Sequence, residues 1–160
     1  MLILLQELAA ELYLLAAIAS GVALVSPRAL ARRVSIWLLA GGAFVHLLSF
    51  AFLHRAVPTP QLTDLPAVVS LVSCLAMIAY LAFARRARWD ALVVWMAPIG
   101  FVGAFVGAAR LSHPASETLL GAGSWPHAHV LLASGGPALL GLAGVAGCVF
   151  LGEGQPLQRR

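Results

Sequence analysis

The stretch 34–53, VSIWLLAGGAFVHLLSFAFL, contains no Asp, Glu, Lys or Arg. A bilayer core is ~30 Å thick and takes ~20 mostly apolar residues at ~1.5 Å rise per residue, so this run reads as a transmembrane helix. Its one ionisable side chain is His46. An imidazole in hydrocarbon is costly unless something binds it, which makes His46 the first residue to explain.

Outward from this stretch, the same pattern recurs at 2–25, 66–84, 91–109 and 127–151. The chain of 160 residues is 61% hydrophobic and 10% charged, with a mean hydropathy of +0.94. That is too apolar for a soluble domain of this size. The expected fold is all-α, a polytopic bundle of five transmembrane helices forming one membrane domain over 1–160.

The net charge of +4 and the absence of lysine place the basic residues by topology rather than by nucleic-acid binding. Arg28, Arg32 and Arg33 follow the first run, Arg85, Arg86 and Arg88 the third, and Arg159 and Arg160 the fifth. Arg55 and Arg110 stand alone in the other two loops. Positive-inside bias then puts the N-terminus outside and the C-terminus in the cytoplasm. Ala17-Ile18-Ala19 mimics a signal-peptidase site, but no basic residue precedes the apolar run and Glu7 and Glu11 lie in its first half, so an uncleaved helix is expected.

The loops carry the turn chemistry. Pro58 and Pro60 stiffen one outer loop, and Asp64 followed by Pro66 reads as a helix N-cap with proline in the first turn. Trp125-Pro126 opens the fifth helix, where an interfacial aromatic belongs. Pro98 and Pro137 lie inside helices four and five and free the carbonyls of Val94 and Ala133, so kinks are expected, of the kind that shape cavities. Gly100, Gly103 and Gly107 on helix four, and Gly141, Gly144 and Gly147 on helix five, make small faces for close helix approach, first within the chain and then towards a partner. Cys74 and Cys148 sit at different depths and form no CxxC pair, so both read as packing residues.

The remaining ionisable residues are few. Glu7 and Glu11 lie one turn apart on helix one and suit either a proton or cation site or the aqueous boundary. His46 and His129 both fall in the outer half of the bilayer, on helices two and five. Two neutral imidazoles at comparable depth can ligate one haem iron, but spacing alone favours a helix-to-helix hydrogen bond for His46 and an outer-loop or headgroup contact for His129. A zinc site from His113, Glu117 and His127 has the right ligand types without a recognised spacing; His127 and His129, two apart, point to different helix faces.

FVHLLSF (44–50), LTDLPAVVSLVSCLAMIAYL (62–81), WDALVVWMAPIGF (89–101) and WPHAHVLLASGGPALLGLAGVAGCVFLGEGQPLQRR (125–160) together resemble the N-terminal half of the cytochrome c assembly family that includes CcsA, HemX and YpjD. The leucine-proline lead-in to helix three, Tyr80-Leu81 at its end, His129 and the glutamate-then-basic tail carry the likeness. The resemblance implies a multi-pass protein of a bacterial-type inner membrane concerned with haem handling. It also implies that His46 and His129 correspond to the family's intramembrane histidines, the iron ligands of a haem b. The family's tryptophan-rich catalytic segment belongs to a second half that this sequence does not contain, and Trp89-Asp90 falls on the cytoplasmic side.

Two functions are therefore expected. One is a haem-binding or haem-handling protein using His46 and His129, without catalysis of its own. The other is a cofactor-free accessory subunit or assembly factor docking on another membrane protein through the glycine faces of helices four and five. A half-transporter with Pro98 and Pro137 as helix breaks is a weaker third, since no charged residue lies at the midplane.

Overall fold

The computed structural model describes residues 1–26, 29–55, 64–87, 92–112 and 124–154. It contains five helices: α1 (Leu2–Val25), α2 (Ala29–His54), α3 (Leu65–Ala87), α4 (Val93–Ser112) and α5 (Ser124–Gly154). α1 begins and ends where expected, α2, α3 and α5 extend beyond the apolar runs at both ends, and α4 begins two residues inside its run and ends three residues beyond it. Hydropathy marks only the part of a helix that lies in hydrocarbon. The backbone goes on pairing its own polar groups past that limit, as in the Arg32-Arg33 turn of α2.

α1 to α4 are long and apolar enough to cross a membrane, and α5 carries a shorter apolar segment, Leu132–Cys148. Expectations for Pro58, Pro60, Trp89-Asp90, His113, Glu117 and the tail 155–160 lie outside the described residues. The same holds for the side chains of Arg85, Arg86, Trp125 and His127.

α1 packs extensively on α2 and α4, α4 packs on α3, and α5 flanks the bundle against α3. Paired contacts give the directions. Gln6 meets Ser49 and Tyr13 meets Gly42, so α1 and α2 are antiparallel. Gly107 lies at Gln6 and Ser70, and Gly100 lies at Tyr13, so α4 is antiparallel to α1 and α3. One end of the bundle therefore holds Met1, His54, Leu65 and Ser112.

Size, more than hydrophobicity, sorts the residues of α1. Ala9, Ala10, Tyr13 and Ala16 are buried, whereas Leu4, Leu8, Leu15, Ile18 and Val22 face outward. Lipid is as apolar as leucine, so helices associate by close approach and interhelical hydrogen bonds, and small or polar residues turn inward.

Tyr13 shows the consequence. Its ring fills a slot between α2 and α4 that exists because Gly42 and Gly100 have no side chains: a Cβ on either would stand 2.9 Å from the ring. Further along α4, Gly103 receives the Ser73 side chain, and Gly107 receives Ser70 and Gln6. The glycine face of α4 is thus consumed inside the chain, which removes it as the partner surface expected from the sequence.

Among the described residues α5 packs chiefly on α3. Its buried residues Ser134, Ala138 and Leu142 recur every fourth position towards α3. Gly135, Gly136, Gly141, Gly144 and Gly147 have open space where a Cβ would be. At the Met1 end, Asp64 occupies the N-cap position of α3, its carbonyl accepting from the Val68 N–H at 3.0 Å. Its carboxylate pairs with the Arg110 guanidinium, joining the start of α3 to the end of α4.

Candidate functional site

His46 is fully buried and is the hub of a polar cluster. Its Nε2 lies 3.0 Å from Ser70 Oγ on α3, and its Nδ1 lies 3.5 Å from the Tyr13 hydroxyl on α1, at the long limit of a hydrogen bond. A neutral imidazole donates from one nitrogen and accepts at the other, so two hydroxyls satisfy the ring in either tautomer. Phe50, one turn along α2, stacks on it at a centroid distance of 5.5 Å and 28°.

The cluster extends towards the Met1 end. Gln6 Nε2 donates to Ser49 Oγ at 2.8 Å, and Ser49 in turn donates to the His46 carbonyl at 2.7 Å. Ser73 Oγ donates to the Ser70 carbonyl at 2.8 Å. Gln6 Oε1 is buried without a hydrogen-bond partner among the described residues. It lies 2.9 Å from where a Gly107 Cβ would stand, so only a glycine at that position of α4 leaves room for it.

Around a neutral imidazole all these groups are uncharged, and apart from Gln6 Oε1 they are spent on one another across α1, α2 and α3. Chemically the arrangement can hold the bundle in a single register. Each ring nitrogen of His46 has a hydroxyl within hydrogen-bond reach.

His129 has different surroundings. It is exposed on α5, on the wall of a pocket of about 210 Å³ shared with Val68 and Val72 of α3. Ser70, the partner of His46, is two residues from each of these valines and so points to the opposite side of α3. α3 therefore stands between the two histidines: the structure brings His46 to Tyr13 and Ser70, and not to His129.

A larger apolar trough of about 480 Å³ runs on from the pocket between α3, α4 and α5, and both Pro98 and Pro137 line it. That is the cavity the internal prolines predict.

Glu7 and Glu11 are both exposed on α1. Glu11 continues the outward stripe of Leu4, Leu8, Leu15, Ile18 and Val22, so a carboxyl sits in the middle of an apolar outer face. Among the described residues no group of three or more His, Cys, Asp or Glu converges as a metal site. Cys74 is buried, Cys148 is exposed and both are free.

Sequence reading missed Gln6, Tyr13, Ser49, Ser70 and Ser73 as parts of the site. The available signal was spacing: Ser49 lies one turn from His46, and Ser70 and Ser73 repeat that interval on α3. Compared with known protein families, curated proteins and solved structures, the chain matches none.

Proposed function

We propose that this protein is an accessory subunit or assembly factor of a larger membrane complex. It would cross a bacterial-type inner membrane five times, with the Met1 end outside and the arginine-rich loops in the cytoplasm. The observation that carries this reading is the exposure of Glu11 on α1.

α1 is 24 residues long, about 36 Å. Glu11 therefore lies ~14 Å from the start of the helix, well inside the apolar span. Carboxyls at such depth pair with another group or line a wet cavity, and lipid supplies neither. A partner helix carrying a basic or hydrogen-bonding side chain at that level would satisfy it. The distal face of α5, where Gly136, Ala143 and Gly147 recur at helical spacing, offers a second surface for close approach.

The test is purification from native membranes in mild detergent. A defined partner is expected to co-purify, and Glu11→Leu is expected to release it without unfolding the chain, because the side chain touches no core. Recovery of the unaltered protein as a lone monodisperse monomer would overturn this reading.

A second reading is haem handling of the cytochrome c assembly kind. It is favoured by the placement of His129, whose exposed imidazole adjoins an apolar trough able to shield a porphyrin. In this form His129 fits as an axial ligand of haem b, and His46 keeps its structural place. A Soret band is then expected in the purified protein, lost in His129→Ala and retained in His46→Gln. A protein that stays colourless in excess haem would sink the idea.

A further inference from the structure

We propose that the cleft between α3, α4 and α5 binds an isoprenoid quinone, with the ring beside His129 and the tail along the trough towards Gly141 and Leu142. Neither the partner reading nor haem binding is needed for this.

The cleft has two open parts that adjoin along Val68, Val72 and Pro137. The part at His129 measures about 210 Å³. An apolar cavity of ~150 Å³ is enough to take benzene, so a substituted six-membered ring fits there. The two parts together run about 20 Å along α5 from His129 to Leu142, and the part beyond measures about 480 Å³. Its walls are aliphatic side chains, two prolines and two glycines, and the one hydroxyl among them, on Ser73, is already donated to Ser70. The ligand body must therefore be a long hydrocarbon chain.

The head is identified by what surrounds it. His129 offers a hydrogen bond at the mouth, and the described lining contains no arginine and no carboxylate. A phospholipid headgroup would bring an anion into a pocket with no cation among its described residues, at a large desolvation cost. A quinone brings a neutral ring whose carbonyl accepts one hydrogen bond, and its quinol form donates one. Ring size, neutrality and a single long tail together select this class from the neutral lipids.

The experiment is equilibrium binding of ubiquinone-2 to the purified full chain in nanodiscs of phosphatidylcholine. Saturable binding is expected. His129→Ala, at an exposed position, is expected to weaken it about fivefold to tenfold, the worth of one hydrogen bond. Gly141→Phe, placed where a side chain meets open space in the trough, is expected to abolish it. Gly147→Phe has equal space but lies outside the cleft, and should leave binding unchanged. Three results would overturn the assignment: no saturable binding, binding untouched by Gly141→Phe, or displacement of the quinone by phosphatidylglycerol at equal mole fraction.

Discussion

Gly103→Ala is expected to destabilise the bundle by about 3 kcal/mol, at the upper end of what overpacking a tight interface costs. The added methyl would collide with both the Oγ and the Cβ of Ser73. Turning the hydroxyl away relieves only the first of these, so α3 must move off α4, and Ser70 and its bond to His46 move with it. Unfolding in mixed micelles titrated with SDS measures the loss.

The companion variant makes the mechanism specific. Ser73→Gly removes both obstructing atoms, so the double variant Ser73→Gly with Gly103→Ala should be more stable than Gly103→Ala alone. The non-additivity is a direct measure of the contact. Equal stability of Gly103→Ala and the unaltered protein would mean that α3 and α4 are not packed as described.

His46→Ala is the second large effect, again about 3 kcal/mol. Removing a buried ring leaves a cavity, for which large-to-small changes cost ~2–5 kcal/mol. It also strands the Tyr13 and Ser70 hydroxyls, and interhelical hydrogen bonds in membranes average ~0.6 kcal/mol, so the void is the larger contribution. His46→Gln keeps a donor and an acceptor and should recover part of the loss. A His46→Ala protein of unchanged stability would show that the imidazole serves something other than the bundle.

The helices were legible in the sequence because hydropathy reports the solvent a segment meets, and α1 came out to the residue. The faces were not. In a soluble helix the apolar side marks the core, but around α1 leucines point outward to lipid and Gln6, Ala9, Ala10 and Tyr13 point inward, so hydropathy carries no bearing on orientation.

His46 stood out because an ionisable residue in an apolar run is rare. Its partners did not, since a serine or tyrosine in a membrane helix is ordinary until its neighbours are known. The pairing of His46 with His129 rested on comparable depth along the membrane normal and on a family resemblance. Comparable depth says nothing about which helix lies between two residues, and here it is α3. Gly103 and Gly107 were recognised as a close-approach motif, but only the positions of Ser73, Ser70 and Gln6 show that the approaching helices belong to the same chain.

The slot that holds Tyr13 also orders events during synthesis. Gly42 arrives with the second helix, whereas Gly100, on the opposite side of the ring, arrives only with the fourth, after Ser70 has entered with the third. A growing chain meets the membrane N-terminus first. The α1–α2 hairpin must therefore wait with one flank of Tyr13 uncovered, and with His46 lacking Ser70, until α3 and α4 come in and close the bundle.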